Sequence, residues 1–447
     1  MKKIKVVFLV IMLILTILPV IFMNFKVNCI SEINNSRLPE ININNLSGQE
    51  IDNYIQNRIG FHDEAISFES NLNQTLYGLP IHPFYCYGKE GYVYFNRSTQ
   101  KIDAEFLDAF CSYLKKMQDY CEERNVPFIY CINPEKGYVY PEYLPEGYDQ
   151  NDEFFEVLYK TLEKYKVNYI SNMEFLREKA KTEQVYNIKY DAGHWNDLGA
   201  FYGTNNMIEK VKENFNSVKT LELEDFNQTT EIQQYLTSSK IEINEEVPKF
   251  DCKYNDKVVD ITNKYSSIEL NPSHKAFMCF KNENQGSENL PRVMFFHGSY
   301  YNRNRTFYES LFKETYAIHN YQNILNLDYY FNIFKPECVL LETASYATNR
   351  TYFDYDSLLK RELNLTLENK IKQSGDYKKL DLSEVDYKIE TNGDLIKITF
   401  NMQDSCKSGY FKIDEEEFDL SIKDKKIECT MEVSKFNKEN CEIYLFN

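Results

Sequence analysis

The chain contains a single tryptophan and only six histidines among its 447 residues, although tyrosine and phenylalanine are abundant. Any histidine chemistry is therefore confined to a handful of positions. The eleven cysteines are scattered and include no Cys-x-x-Cys pair, which excludes the common structural zinc sites. Most of them lie in apolar contexts, such as Cys131 in "FIYCINP" and Cys338 in "PECVLLE", which is typical of small buried side chains.

Positive charge is in deficit, with 51 lysines and arginines against 68 acidic residues and a net charge of −17. A broad acidic surface repels phosphate backbones, so the composition excludes nucleic acid as a partner. The hydrophobic content of 43% and the charged content of 27% are those of a globular protein rather than a disordered one. The length suffices for a domain of about 250–350 residues and a smaller second domain.

The chain has one long hydrophobic run, which lies at its N-terminus. Three lysines within the first five residues precede the uncharged segment 6–23, which would span about 27 Å as a helix. The lysines predict that the N-terminus stays inside and the bulk lies outside the cell membrane. No small-x-small cleavage site follows, which favours an uncleaved signal-anchor over a cleaved signal peptide and a secreted protein. Residues 1–25 are thus predicted to be an anchor or signal, and 26–48 a polar spacer.

Helical and strand patterns alternate from Thr99 onward. Amphipathic segments with apolar residues three and four apart are interspersed with short apolar runs, among them "VPFIYCI" (126–132), "RVMFF" (292–296) and "CVLLE" (338–342). Strands that alternate with helices indicate a parallel sheet covered on both faces. The sequence therefore predicts an α/β fold with a three-layer α/β/α domain.

The same patterns predict the domain limits. The α/β domain is expected over 49–367, with an insertion at about 215–290 where the periodicity lapses. After about residue 368 apolar and polar residues alternate between turn residues, which predicts a small antiparallel β domain over 368–447. This β domain is expected to bind carbohydrate or to act as a spacer.

Two stretches that follow predicted strands carry the chemistry. "YDAGHWNDLGA" holds Asp191, His194 and the single tryptophan, Trp195, and "RVMFFHGSYYN" places Ser299 directly after a strand. Each stretch alone is more typical of a structural turn, but the carboxyl ends of parallel strands meet at one edge of a sheet. A serine hydroxyl needs a base within hydrogen-bond reach, and that base needs an orienting acid. We therefore predict a triad of Ser299, His194 and Asp191.

Other residues of these stretches are candidates for binding substrate or the oxyanion. Gly298 lets the chain turn before the serine, whose backbone N–H would face an oxyanion. Asn302 or Asn304 would donate to the oxyanion, or would serve as a helix N-cap. Trp195 is expected at the edge of the pocket, where it would keep water away. Glu342 ends a strand and is expected to face solvent.

Five ordered blocks resemble the alginate O-acetylation proteins and the related DHHW proteins of bacteria. They extend over about residues 50–345 and read "IDNYIQNRIGFHDEAISFESNLNQTLYGLP", "YGKEGYVYF", "INPEKGYVYPEYLP", "GHWNDLGAFYG" and "PRVMFFHGSYYN". The third block matches the family's "PDKxxVYPEYLP" segment and contains Lys136 and Tyr140. These two residues are candidates for substrate contact, with structural packing as the alternative for Tyr140.

The resemblance implies an SGNH-hydrolase-like domain with permuted motif order, in which the Asp/His block precedes the serine block. It also implies acetyl transfer through Ser299 to a cell-surface or exopolysaccharide glycan, without a metal or organic cofactor. A multi-pass membrane O-acyltransferase would supply the acetyl group. The chain departs from the family in having Asp191 three residues before His194 instead of two, and in having His297 two residues before the serine. A carbohydrate acetyl esterase, or a catalytically inactive glycan-binding or scaffold protein of an acetylation complex, are the alternatives.

Overall fold

The computed structural model describes residues 2–26, 38–41, 47–77, 84–96, 102–148, 151–237, 241–401, 406–423 and 425–446. Most of the predicted spacer lies outside the described residues. The described helices are α1 (Lys2–Ile21), α2 (Gly48–Arg58), α3 (His62–Tyr77), α4 (Ala104–Glu122), α5 (Lys136–Val139), α6 (Glu153–Tyr165), α7 (Met173–Ala180), α8 (Asp197–Lys212), α9 (Ser299–Asn304), α10 (Leu327–Phe334), α11 (Tyr355–Lys360) and α12 (Leu367–Ser374).

The strands fall into a first group up to residue 344 and a second group after residue 377. The first group is β1 (Tyr85–Tyr87), β2 (Val93–Phe95), β3 (Phe128–Asn133), β4 (Tyr169–Ser171), β5 (Phe226–Tyr235), β6 (Glu242–Cys252), β7 (Val258–Asp260), β8 (Phe277–Asn282), β9 (Arg292–His297), β10 (Glu314–His319) and β11 (Cys338–Ala344). The second group is β12 (Lys378–Asp381), β13 (Tyr387–Asn392), β14 (Leu395–Asn401), β15 (Ser408–Ile413), β16 (Glu416–Asp419), β17 (Ser421–Lys423), β18 (Lys426–Glu432) and β19 (Cys441–Phe446).

A seven-stranded sheet with the order β4-β3-β11-β9-β10-β8-β7 lies at the centre of the fold. Its first five strands are parallel, while β8 and β7 are added antiparallel at one edge. The predicted mixed α/β class with a parallel sheet is confirmed. Both added strands come from the segment 215–290 that was predicted as an insertion, so part of that segment extends the central sheet.

The central strands are buried on both faces. Strands β3 and β11 are buried at every residue, and β9 at every residue but its first. Because successive side chains of a strand point to opposite faces, such runs require cover on both sides of the sheet. Helix α4 provides part of that cover: Asp103 caps it by accepting the Phe106 N–H at 2.9 Å, and its apolar stripe enters the core.

The chain after residue 377 forms two four-stranded antiparallel sheets. Their orders are β12-β19-β15-β16 and β13-β14-β18-β17, and they enclose a hydrophobic cluster of their own that includes Ile398, Phe411, Met431 and Ile443. The antiparallel strands match the alternating pattern of the sequence. The limit at residue 368 falls within α12 and stays a prediction.

A buried charge joins these sheets to the central domain. Asp419, the last residue of β16, accepts hydrogen bonds from Tyr120 Oη at 2.6 Å, Arg124 Nη2 at 3.2 Å and Asn364 Nδ2 at 2.8 Å. Its backbone N–H and carbonyl pair with the side chain of Asn332 on α10. Asp419 is therefore fixed from α4, α10 and the segment that follows α11.

The end of α1 is joined to the turn between α2 and α3. The Gly60 N–H donates to the Pro19 carbonyl at 2.8 Å, and the Asn24 N–H donates to the Arg58 carbonyl at 2.7 Å. Arg58 is buried, and its Nη1 donates to the carbonyls of Asn24 and Lys26. By length and composition, α1 suffices to cross a membrane.

Replacing Asp419 by alanine should destabilise the protein strongly. The substitution removes the nearer carboxylate of the buried Arg124 guanidinium, which keeps only Glu417 Oε1 at 3.6 Å, and it removes the acceptor of Tyr120 and Asn364. Breaking such a buried pair costs about 3–5 kcal/mol in the free energy of unfolding. Glu368→Ala, which removes an exposed i,i+4 pair with Lys372, is the matched control and should change little. Urea unfolding of the full chain checks this, and an Asp419→Ala protein as stable as Glu368→Ala would contradict it.

Candidate active site

Ser299 is the first residue of α9 and follows the end of β9 by one residue. Gly298 between them has φ −116°, a conformation open to any residue, so the turn does not depend on the conformational freedom of glycine. The Gly298 N–H donates to Glu342 Oε1 at 3.2 Å. The Gly298 N–H is thereby engaged, and a role of Gly298 toward an oxyanion stays a prediction.

The structure brings His194, Ser299 and Asp191 together. His194 Nε2 lies 2.8 Å from Ser299 Oγ, and His194 Nδ1 lies 3.2 Å from each carboxylate oxygen of Asp191. A carboxylate can only accept, so Nδ1 carries the proton in this arrangement and Nε2 is left to accept one from the serine hydroxyl.

Asp191 is buried but compensated. Its Oδ1 accepts the N–H groups of Gly193 and His194, both at 2.8 Å, and Arg303 Nη1 lies 2.6 Å from its Oδ2. Burial by itself would raise the pKa of this carboxyl, but Arg303 and His194 outweigh burial and hold the pKa well below its usual range. The acid that faces the histidine is thus ionised.

The sequence reasoning missed Arg303, which lies on α9 four residues after Ser299. Residues four apart lie on the same side of a helix, so α9 presents the serine to His194 and the guanidinium to Asp191. The four-residue spacing between Ser299 and Arg303 was the one sequence signal that could have identified Arg303.

Tyr346 was missed as well, although its hydroxyl lies 2.8 Å from Ser299 Oγ. It belongs to the short turn that follows β11, and its ring stands edge-on to the His194 ring at 6.1 Å. Because β11 is the neighbour of β9, the ends of both strands reach the same edge of the sheet. The position of Tyr346 shortly after a buried strand was the sequence signal that could have identified it.

Two predictions about residues near the serine are wrong. Trp195 is 2% exposed and packs edge-on against Tyr300, so it lies in the core and not at the edge of a pocket. Its Nε1 donates to Asn304 Oδ1 at 3.2 Å, while Asn304 Nδ2 donates to Asp197 Oδ1. The amide of Asn304 is thereby occupied and serves neither an oxyanion nor a helix cap. Asn302 is exposed on α9, and its role stays a prediction.

Lys136 and Tyr140 are buried, which for Tyr140 agrees with the alternative of structural packing; substrate contact by either residue stays a prediction. Lys136 Nζ donates to the carbonyls of Val93 at 2.9 Å and Ile188 at 3.1 Å. Burial lowers the pKa of this ammonium to about 7, against the attraction of Asp191. The Tyr140 hydroxyl accepts the Val185 N–H at 3.0 Å and contacts the Glu183 carbonyl. Both side chains therefore hydrogen-bond to backbone groups distant in the sequence and hold separate segments of the domain together.

Lys136→Met should reveal this structural role. The Val93 carbonyl loses the ammonium donor, and the Ile188 carbonyl keeps only the Val93 N–H at 2.9 Å. The loss costs about 1–3 kcal/mol in the free energy of unfolding. Because the pKa of Lys136 is about 7 in the folded chain and 10.5 in the unfolded chain, its share of the stability increases as the pH rises through this interval. The stability difference between wild type and variant should therefore widen from pH 7 to pH 9.5. Lys181→Met, at an exposed lysine, is the control; a constant difference would contradict the assignment.

Among the described residues, no group of three or more histidine, cysteine, aspartate or glutamate side chains is placed to hold a metal ion.

No family model and no curated protein matches the sequence. Among solved structures, the chain is similar to PatB1 of Bacillus cereus, with 16% identity, 61% of this chain and 98% of that chain covered, and a TM-score of 0.47. It is also similar to a DHHW family protein of Eubacterium siraeum (14% identity, 64% and 98% covered, TM-score 0.45) and to the O-acetyltransferase domain of Pseudomonas putida AlgJ (14% identity, 62% and 99% covered, TM-score 0.43). The similar structures thus include a DHHW family protein and an O-acetyltransferase domain, the kinds of protein that the five sequence blocks resemble.

Proposed function

We propose that the chain is an extracytoplasmic, membrane-anchored O-acetyltransferase that modifies a cell-surface or exopolysaccharide glycan. Ser299, His194 and Asp191 form its catalytic triad, on an SGNH-type domain in which the Asp/His block precedes the serine. The observation that carries the proposal is the 2.8 Å contact between His194 Nε2 and Ser299 Oγ, with Nδ1 held by an ionised, buried aspartate.

In the first half-reaction, Ser299 Oγ attacks the carbonyl carbon of the acetyl donor while its proton passes to His194 Nε2. Asp191 stabilises the imidazolium that forms, and does not take up the proton itself. The C–O or C–S bond to the leaving group breaks, and His194 returns the proton to that group. Acetyl-Ser299 remains.

In the second half-reaction, a sugar hydroxyl gives its proton to His194 Nε2 and attacks the acetyl carbon. The bond to Ser299 Oγ breaks, and the serine regains its proton. The negative charge that forms on the carbonyl oxygen in both steps is met by the Ser299 backbone N–H and the Tyr346 hydroxyl. Support for Tyr346 comes from its 2.8 Å contact with the attacking oxygen.

The substrate and the supplier of acetyl groups come from the sequence resemblance. A glycan acceptor and a multi-pass membrane O-acyltransferase belong to this proposal, as do the domain limits 49–367 and 368–447 and a role of the C-terminal sheets in binding or spacing.

Substitutions of the triad test the proposal. Ser299→Ala and His194→Ala should each lower the turnover of a model acetyl ester by about three orders of magnitude or more, and the double variant should be little worse, because the residues act as a unit. Asp191→Ala should have a milder effect, since Asp191 orients and does not transfer. The same variants should stop acetyl transfer to an oligosaccharide acceptor, measured by mass spectrometry.

Ser273→Ala in an exposed loop and His62→Ala on α3 are matched controls and should keep full activity. A Ser299→Ala protein with wild-type turnover would contradict the triad. Free acetate without acetylated sugar would identify an esterase.

We also propose that α1 is retained as the membrane anchor. Support comes from the hydrogen bonds of Pro19, Asn24 and Lys26 to the α2–α3 turn, which cleavage after α1 would remove in whole or in part. The protein from cells should therefore keep its N-terminal residues by intact mass and stay with membranes after a carbonate wash. A variant with Leu13→Arg and Ile14→Arg, whose helix cannot enter a bilayer at low cost, should lose the membrane fraction. A wild-type chain that starts beyond residue 26 and is found in the medium would contradict retention.

A further inference from the structure

The helix that carries Ser299 has no cap of its own. The first N–H groups of a helix need acceptors, and Ser, Thr, Asp or Asn usually supplies one from the N-cap position. In α9 that position is Gly298, which has no side chain to offer. The missing acceptor comes from Glu342 on β11, whose Oε1 accepts the N–H groups of Gly298 at 3.2 Å and Tyr301 at 3.3 Å. The expectation that Glu342 faces solvent is wrong: its side chain is buried beneath the turn, with the residue 1% exposed.

Among the described residues, none forms an ion pair with Glu342, and the groups around it are as follows. Cys131 on β3 is its cross-strand partner, and His297 on β9 lies beside it in register, since the preceding residues of the two strands, Leu341 and Phe296, are paired. Tyr301 and Tyr308 are the further titratable groups that interact with it. In the described part of the chain no lysine or arginine forms an ion pair with Glu342, and its Oε2 has no hydrogen-bond partner.

We propose that Glu342 is a positioning residue that caps the serine-bearing helix from the neighbouring strand and thereby holds Ser299 Oγ in reach of His194. The proposal rests on the triad proposed above. It assigns to Glu342 no contact with substrate: the side chain acts through the backbone on both sides of Ser299.

Two physical consequences follow from this position. The bonds to Gly298 and Tyr301 bracket Ser299, so losing them frees the backbone that aims its hydroxyl, and misplacement by a fraction of an ångström costs rate. Burial raises the pKa of Glu342 to about 7, against the opposing effect of the backbone N–H groups. Above that pH the group becomes a carboxylate near the place where negative charge forms during attack, which disfavours the transition state.

The ionisation of Glu342 also affects stability. Its pKa in the folded chain lies above the ordinary value of 4.5, so the folded state holds its proton more tightly. The stability contributed by the protonated form is fully present below about pH 4.5 and is lost as the pH rises to about 7. Glu342→Gln keeps an acceptor oxygen and stays neutral, and should not show this loss.

The experiment compares wild type, Glu342→Gln and Glu342→Ala as full chains in detergent. The readout is the rate at which a fluorophosphonate labels Ser299: the Oγ–P bond forms, fluoride leaves, and His194 takes the serine proton. We expect Glu342→Ala to be at least about 30-fold slower at pH 6 and Glu342→Gln to remain within about threefold of wild type. Titration of His194 affects both proteins alike and cancels in the ratio of the Glu342→Gln rate to the wild-type rate. This ratio should therefore increase by about fivefold between pH 6 and pH 8.5, as Glu342 of the wild type ionises.

A ratio that does not change with pH, or a Glu342→Ala protein labelled at the wild-type rate, would overturn the proposal. If Glu342→Ala does not fold, the pH dependence of the Glu342→Gln ratio decides alone. If the fluorophosphonate does not label Ser299 in the wild type, this contradicts the proposed triad but does not by itself test the role of Glu342. The ¹⁵N resonance of His194 Nε2 then decides about Glu342: a shift in Glu342→Ala that Glu342→Gln restores supports the positioning role, and an unchanged resonance overturns it.

Discussion

The candidate site depends on the compensation of one buried negative charge, that of Asp191. An ionised carboxylate inside a protein needs hydrogen bonds and an opposite charge, because water no longer solvates it. Two backbone N–H groups of its own loop and the guanidinium of Arg303 supply them. Since Arg303 and Ser299 belong to the same short helix, the interaction that keeps the acid ionised also holds α9 against the loop that carries His194.

Two buried carboxyl groups flank the serine and differ in what surrounds them. Asp191 faces a cation and a histidine, so its pKa is held well below the usual range despite burial. Glu342 faces backbone N–H groups and, in the part of the chain that the structure describes, no cation, so burial prevails and its pKa is raised to about 7. Environments that separate the pKa values of two acids in this way let one stay charged and orient a base while the other is neutral for part of the physiological range.

The sequence was informative where burial of apolar side chains determines the structure. Near-continuous apolar runs mark β3, β9 and β11 as central strands, and the end of β9 led to Ser299. The prediction that the stretch with Asp191 and His194 also follows a strand is wrong, because it lies in the loop between α7 and α8. It was uninformative about polar side chains that pair across the fold. The partners of Trp195 Nε1 and Lys136 Nζ lie 109 and 43 or more residues away in the chain, and no local pattern encodes such pairs. A lysine in particular is read as exposed, because burial of its charge is unfavourable unless carbonyls receive its protons.

The loop from Asp191 to His194 is held in a tight turn by its own backbone groups. The carboxylate of Asp191 accepts the N–H groups two and three residues onward, which closes a tight turn and directs the His194 ring back to the same carboxylate. Gly193 lies within this turn; a Cβ there would lie 2.7 Å from the Phe95 ring, so a larger residue would require the ring to shift. Its carbonyl also accepts the Lys136 N–H at 2.9 Å and the Tyr300 hydroxyl at 3.2 Å. The loop is therefore fixed at both its N–H and its carbonyl groups, and the contact between His194 and Asp191 follows from this turn.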